Sequence, residues 1–446
     1  MRKVRGGRYK MDTKYKNSVR YLESLIPGKE SKERVYELDR IRRLLDLIGN
    51  PESSFKSIHI GGTSGKGSTA YMAAAILKEA GYKVGLHISP HLERINERMQ
   101  IDERPIGDIE FAKFVNLLKP YVKKVEKEGL GMPTYFEVLV ALSFQYFKRK
   151  KVDIAVVEVG LGGALDATNV LNPEVAVITN VDLDHTEILG NTVERIVRDK
   201  AGIIKEGIEV VTAARQKSVL EIIKKRCKGK HAQLTIIGRN PKVPPLRPLG
   251  EHQKINAACA VAAIAKLQNC KLQIKKSAVR KALAKVEIPG RLEIVNLQSA
   301  CLPVRQAICN HPIILDGAHN PAKMKSLVAA LKNLFPKKKF VFLFAAKKGK
   351  DAEAMLRLLA PLAEKFYFTR FQTTTDFGKN QSVSPQELAR TIKRLRPSQP
   401  LEICKTPEQA LHMAIANLQT YKLINLQLVV TGSLYLVGEV RSIIKP

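Results

Sequence analysis

The chain has 446 residues, 45% hydrophobic and 26% charged, a composition that suits a soluble globular protein and a length that exceeds one ordinary core, so two domains are expected. No apolar run reaches the roughly 20 residues that span a bilayer, and the basic start "MRKVRGGRYKMDTKYKNSVR" lacks a following apolar stretch, which argues against a secretory leader and for the cytoplasm. The formal net charge of +33 raises nucleic-acid binding as a reading, but the Lys and Arg are spread along the chain without interleaved aromatics and Trp is absent, so no specific nucleic-acid surface is expected and the positive field is read as favouring anionic small substrates.

Taken in chain order, short apolar runs rich in β-branched residues alternate with helical patterns, which predicts an α/β fold with a mainly parallel sheet. "SIHIGG" reads as a buried strand, and "STAYMAAAILKEAG" as the helix after it, closed by Gly81. "YKVGLHIS", "VDIAVVEVG", "EVAVITNV" and "IEVVTAA" read as further strands, with "TYFEVLVALSFQYFKRKK" a helix running into the second of these. A proline-rich loop, "KVPPLRPLG", precedes the alanine-rich helix "HQKINAACAVAAIAKL". A second α/β block follows: "PIILDGAHN" as strand and loop, "PAKMKSLVAALKNLF" as helix, "KFVFLFAA" and "KFYFTRF" as strands, and "LQLVVTGSLYLVGEVRSII" as strand, turn and helix. The expected division is residues 1–298 and 299–446, the first a phosphate-loop-type domain flanked by helices and the second a smaller Rossmann-like domain. The six cysteines, Cys227, Cys259, Cys270, Cys301, Cys309 and Cys404, form no C-x-x-C pair, so free thiols are expected and a zinc site is not.

Between the first strand and helix stands "GGTSGKGS", residues 61–68, which departs from the common nucleotide loop G-x-x-x-x-G-K-[ST] by placing Gly67 after Lys66 and the hydroxyl of Ser68 one step late. Gly61, Gly62, Gly65 and Gly67 allow the backbone to approach an anion closely, and the helix start adds its positive end. Lys66 can reach phosphate oxygens as a point charge, so the loop is chemically complete though offset.

This offset loop resembles that of the Mur ligase superfamily and, within it, the folylpolyglutamate synthase/dihydrofolate synthase family. "HISPHLERINERMQID", "TYFE", "VVEVGLGGALDATN", "NVDLDHTEILG", "DKAGIIK", "PGRLEIV", "LDGAHNP" and "TGSLYLVGEVR" resemble that family's markers, in its order and over almost the whole chain. Two positions depart from the pattern: Ser64 stands where the family has Asn, and Ala164 where it has Arg, which removes a cation near the expected substrate pocket.

The resemblance implies an ATP-dependent amide ligase that adds L-glutamate to the γ-carboxylate of a folate through an acyl phosphate, with dihydropteroate as a further candidate acceptor. It implies ATP held by Thr63, Ser64, Gly65, Lys66, Gly67 and Ser68, with Asn256, Arg291, Asp316 and His319 as further nucleotide contacts. Two Mg2+ sites are implied, with Ser89, Glu158 and His185 as ligands and Lys200 contributing as a carbamate; Lys66, His185 and Lys200 are the candidate catalytic residues. From the sequence alone, Lys200 reads as a surface lysine on a helix. Glu158 ends an apolar strand, where α/β ligand sites form, and Asp182 and Asp184 are nearby spares. On the substrate side the resemblance points to Thr134, Tyr135, Phe136 and Glu137, with Phe136 available to stack on a flat ring and Tyr135 and Phe136 equally readable as core. Asp166 reads either as an acceptor for the pterin edge or as the cap of the turn before Asn169. "SPHLERINER" resembles the family's mobile loop. The expected partners are the small-molecule substrates folate, L-glutamate and ATP, with no membrane, and a monomer is expected. The alternatives are a Mur-type ligase on another carboxylate and a phosphate-loop ATPase acting on nucleic acid.

Overall fold

The structure is a computed structural model that describes residues 13–26, 37–267, 272–296, 312–376, 378–420 and 426–444. These residues fall into two compact units, one formed within 11–247 and 252–287, the other from 248–251 and the chain from 288 onward.

The first unit is built on an eight-stranded sheet. Its strands are β1 (Lys56–Gly61), β2 (Val84–His87), β3 (Met99–Ile101), β4 (Arg104–Pro105), β5 (Ile154–Glu158), β6 (Val175–Ile178), β7 (Glu209–Thr212) and β8 (Gln233–Ile236). Their order is β4-β3-β2-β5-β1-β6-β7-β8. The six strands from β2 to β8 are mutually parallel, and β3 and β4 add an antiparallel edge. The central strands are apolar on both faces because helices cover both. One face packs against helices Asp108–Val125 and Tyr135–Lys150, through Phe111, Leu118, Leu139, Phe144 and Phe147 among others. The other face includes Ala176, Ile178 and Val210 and is closed by Ile196, Ile203, Val219 and Ile223. The expected helix after β1 runs Lys66–Glu79, and Gly81 beyond it has φ +94°. The helix Tyr135–Lys150 does not run directly into a strand: Lys151 in the left-handed region turns the chain before β5.

The second unit has a six-stranded sheet of β9 (Glu293–Val295), β10 (Ile313–Leu315), β11 (Lys339–Phe344), β12 (Ala363–Phe368), β15 (Leu401–Ile403) and β16 (Leu426–Thr431), in the order β15-β12-β11-β16-β10-β9. A separate hairpin joins β13 (Gln372–Thr375) to β14 (Gly378–Gln381). Alternation in "KFVFLF" and "KFYF" puts Phe340, Phe342, Phe344, Phe366 and Phe368 in one core, with Phe366 stacked on Phe368 at 5.3 Å and on Phe342 at 5.5 Å. β9 pairs antiparallel with β10, so residues 293–295 belong to this sheet. The same segment is fastened by Arg441 Nε, which donates to Glu293 Oε2 at 3.0 Å, and by the N–H of Leu292, which donates to Asp316 Oδ2 at 2.9 Å. The expected division at 298/299 lies outside the described residues.

Among the described residues no helix is long and apolar enough to cross a membrane. Cys227, Cys259 and Cys404 are free and buried, while Cys270, Cys301 and Cys309 lie outside the described residues.

Candidate active site

The C-terminal ends of four neighbouring parallel strands, β2, β5, β1 and β6, carry the polar residues that the sequence singles out, where α/β sheets place ligand sites. The glycine loop leaves β1. Its shape is set by β6's continuation, whose Thr179 hydroxyl donates to the carbonyl of Ser64 at 2.6 Å and whose Asn180 side-chain oxygen accepts from the N–H of Ser64 at 2.8 Å. The N–H of Thr63 donates to the carbonyl of Asn180 at 2.9 Å, and its hydroxyl donates to the Asp182 carbonyl at 3.1 Å. Ser64 enters these bonds through its backbone, so the departure from Asn leaves the loop's anchoring intact. Gly65 sits at φ +86° with Asn256 packed against it so closely that a Cβ would overlap Asn256 Oδ1. Glycine is therefore required there twice over, by backbone conformation and by contact. Asn256 is fixed in turn by Gln253 Oε1, which accepts from its Nδ2 at 2.9 Å. Thr179, Asn180 and Gln253 were not among the expected site residues. Their signal was available only as polar residues directly following an apolar strand or one turn before Asn256.

Lys66 opens the helix Lys66–Glu79, and its Nζ donates to the carbonyl of Gly62 at 3.1 Å. Lys200 Nζ donates to the same carbonyl at 3.3 Å. The surface reading of Lys200 is overturned, since the residue is only 4% exposed at the end of the helix Val193–Lys200. Burial, and then the like charge of Lys66, lowers its pKa to about 8, against the pull of Asp199, Asp184 and Asp166. Asp199 is itself pushed upward by burial, and its Oδ2 is buried without a hydrogen-bond partner among the described residues.

Glu158 ends β5 in register with Ile60 of β1. It is 6% exposed, so its carboxylate is held inside the unit and not in solvent. Its carboxylate accepts from the N–H of Ser89 at 3.1 Å and lies 3.3 Å from the position a Cβ would take at Gly67. Ser89, Glu158 and the phosphate loop thus share one locality. Ser68, at 5% exposure, lies one residue further along the helix. His185 follows β6 at φ +50°, with Nδ1 3.7 Å from Glu187 Oε1 and Nε2 4.0 Å from Asp184 Oδ1. Glu158 and Ser89 offer the hard oxygens that Mg2+ takes. Lys200 as an amine does not, and fits a metal only as a carbamate. No cluster of three or more His, Cys, Asp or Glu able to hold a metal occurs among the described residues. A magnesium ion here would need phosphate and water oxygens as well.

On the opposite side of β5, "TYFE" opens the helix Tyr135–Lys150. Thr134 and Glu137 form a reciprocal cap, the Thr134 hydroxyl accepting from the N–H of Glu137 at 3.3 Å and Glu137 Oε2 accepting from the N–H of Thr134 at 2.7 Å. Glu137 also accepts from Arg40 Nε at 3.3 Å. Tyr135 is core, under the Arg98 guanidinium at 5.6 Å. Phe136, like Thr134, is half-buried; its ring packs against Gly160 and beside the ring of His87 at 6.1 Å. Asp166 caps the turn Ala167–Val170, with Oδ1 accepting from the N–H and the hydroxyl of Thr168 and Oδ2 accepting from the N–H of Leu161 at 2.8 Å. Burial raises its pKa, and the donated hydrogen bonds oppose that rise. Ala164 is tied by its own backbone, its N–H donating to the Asp199 carbonyl at 2.9 Å and its carbonyl accepting from Asn169 Nδ2 at 2.8 Å. In "SPHLERINER", Asn96 and Arg98 are buried, and Tyr15 donates to Asn96 Oδ1 at 2.6 Å.

The second unit gathers Arg291, Asp316 and His319 at the end of β10. Asp316 Oδ1 accepts from the N–H of Ala318 at 2.9 Å, and Arg291 lies against Gly317. His319 bonds the Gly317 carbonyl through Nδ1 at 2.8 Å, while Lys323 Nζ donates to its Nε2 at 3.0 Å. Burial first, then Lys323 and Arg291, hold it neutral by pushing its pKa well below the ordinary value. Asn320 caps the next helix, as the Asn-Pro start implies.

Residues 60–303 match the family model of the Mur ligase middle domain, and residues 304–443 that of the dihydrofolate synthetase C-terminal domain. The chain is 32% identical over 434 residues to a dihydrofolate synthase/folylpolyglutamate synthase of Bacillus subtilis (strain 168), covering 92% of this chain and 95% of that protein. Among solved structures it resembles Mycobacterium tuberculosis folylpolyglutamate synthase complexed with ADP and AMPPCP, with a TM-score of 0.82 and 28% identity over 97% of this chain and 99% of that one. It also resembles Escherichia coli FolC in complex with DHPP and ADP, with a TM-score of 0.78 and 25% identity over 96% of this chain and 97% of that one.

Proposed function

The chain belongs to the folylpolyglutamate synthase/dihydrofolate synthase family of the Mur ligases, and on that premise we propose that it is an ATP-dependent ligase joining L-glutamate to the γ-carboxylate of a reduced folate. The observation that carries this reading is the convergence of the loop 61–68, Lys66, Glu158 and Ser89 at the ends of adjacent strands.

Amide formation from a carboxylate is uphill in water. Transfer of the γ-phosphoryl group of ATP to the folate carboxylate gives an acyl phosphate, which the glutamate amine attacks with release of phosphate. The loop's N–H groups and the start of the helix Lys66–Glu79 hold the triphosphate, with Asn256 bracing the loop at Gly65. Lys66 exchanges the Gly62 carbonyl for phosphate oxygens and stabilises charge as it moves across them. Glu158 and Ser89 would hold one Mg2+, and His185 with carbamylated Lys200 would complete a second. Bound there, the ion neutralises phosphate charge and acts as a Lewis acid. The lowered pKa of Lys200 supports the carbamate, because only a neutral amine adds CO2. Phe136 and Asp166 are the substrate-side pair, the tip of an aromatic ring and a carboxylate meeting at Gly160.

ATP turnover tests the reading directly, with tetrahydrofolate, methylenetetrahydrofolate or dihydropteroate, each with and without L-glutamate. Release of ADP that requires both an acceptor and glutamate, with the glutamyl product seen by mass spectrometry, is expected. Turnover that is stimulated by DNA and indifferent to folate and glutamate would defeat it.

A further inference from the structure

His59 lies on β1, three residues before Gly62, and is wholly buried. Its backbone is in register with Val157 of β5, on the face covered by the helix Tyr135–Lys150. Its Nε2 is 2.8 Å from the hydroxyl oxygen of Thr168, and that hydroxyl also bonds Asp166 Oδ1. The three groups form a chain running from the strand of the phosphate loop to the carboxylate that faces Gly160 and Phe136.

Asp166 already receives N–H groups from Leu161 and Thr168, so its carboxylate acts as an acceptor. The Thr168 hydroxyl has a single proton and gives it to Asp166, so it can only accept from His59. His59 must therefore carry its proton on Nε2. Its surroundings agree: Nδ1 is buried and has no hydrogen-bond partner among the described residues, so a proton there would be an unsatisfied donor, more costly than an unpaired lone pair. The opposite tautomer would turn the Thr168 hydroxyl toward His59 and take its proton from Asp166. Burial holds the ring neutral, with its pKa lowered to about 3.

We propose that His59 is a positioning residue for the folate side of the site, acting through the Thr168 hydroxyl to fix the orientation of the Asp166 carboxylate. Two hydrogen bonds in series polarise one another, and the first of them is supplied by the strand that ends in the phosphate loop. The proposal rests on the assignment of Asp166 to the folate ring, and its ligand is the flat, N–H-bearing heterocycle of a folate.

The test compares His59→Leu, His59→Gln, Thr168→Val and the double variant His59→Leu/Thr168→Val. Gln can present an N–H near the position of Nε2, and Leu cannot. The expected result for His59→Leu is a KM for the folate acceptor raised about tenfold, the scale of one hydrogen bond to a charged network, with KM for ATP unchanged. His59→Gln should recover most of the loss, and the double variant should be no worse than Thr168→Val alone. A KM for ATP that rises in parallel, an unaltered folate KM in His59→Leu, or a fully additive double variant would each overturn the proposal. Should His59→Leu fail to fold, nitrogen NMR of the wild-type imidazole still decides. A protonated Nε2 and bare Nδ1 are expected, and the reverse tautomer sinks the idea. That spectrum is independent of substrate, so a wild-type protein inactive with every folate would refute the functional reading while leaving the tautomer result standing.

Discussion

Lys66 and Lys200 share one acceptor, the Gly62 carbonyl, although 134 positions apart in the chain. Two ammonium groups on one carbonyl are tolerable only while one is neutralised or an anion arrives between them. Lys66→Ala should abolish ligation while leaving the circular dichroism spectrum and melting temperature close to wild type, because its side chain supports phosphate and not the core; normal turnover would remove that role. Lys200→Ala should be nearly inactive and partly restored by acetate, which can lend two oxygens to the gap. Intact-mass measurement in bicarbonate should show a carbamate on the wild type that the variant lacks, and a fully active Lys200→Ala protein counts against the modification. Glu158→Gln keeps shape but removes charge, so its Mg2+ requirement should rise steeply; an unchanged magnesium titration would deny it a ligand role. At this scale the sequence was informative about residue type and poor on burial. The glycine spacing around Lys66 is local and was readable. The depth of Lys200 depends on the Gly62 carbonyl and the backbone at Gly163 being folded against it, which no helical periodicity reports. His59 was hidden for the opposite reason, since one polar residue inside the apolar run "SIHI" looks like an ordinary interruption of a buried strand.

The elements that carry the site were the easiest to find, because parallel strands covered on both faces are continuous apolar runs. Among the strands that went unread are weakly patterned ones, the short edge pair β3–β4, the exposed strand β8 and the hairpin β13–β14, and the helices Asp108–Val125, Lys217–Gly229 and Pro385–Leu395 went unread as well. The start of the helix Tyr135–Lys150 shows how one motif divides its labour. Thr134 and Glu137 cap the helix, Tyr135 fills the core, and Phe136 is half-buried with no part in the cap. Thr134→Ala should therefore act on stability, costing about 1 kcal/mol as other lost N-caps do, with unaltered KM values at a temperature where the variant stays folded. Phe136→Ala should do the reverse, raising KM for folate with a small change in melting temperature. Equal effects of the two on both measurements would mean that the motif works as a unit.

For the whole molecule, the charge of +33 is the property with the least local explanation. If it were a nucleic-acid footprint, affinity for duplex DNA would fall steeply with salt from a tight starting value. The expected result is weak, sequence-indifferent binding at physiological salt, and tight selective binding there would reverse this view. A half-buried acid gives the second unit a pH response above the ordinary carboxylate range. Glu439, in the helix Leu434–Ile444, has its pKa raised by burial to about 7. The folded state holds this proton more tightly than the unfolded one, so stability falls as pH climbs from the ordinary carboxylate range to about 7 and stays lower above it. Glu439→Gln should raise the melting temperature at pH 8 and leave it unchanged near pH 4, as calorimetry can check; an equal gain at both values would point to packing instead.

The pairing of β9 with β10 also bears on how the chain can be cut. A fragment beginning at residue 299 would lack β9, leaving the backbone groups along one side of β10 without partners. Asp316 would lose the N–H of Leu292, and Arg441 its ion pair with Glu293. Such an uncovered edge is a template for strand-to-strand aggregation. A fragment beginning at Ile288 keeps all three contacts, so of the two it is the one expected to remain soluble and monodisperse when expressed alone.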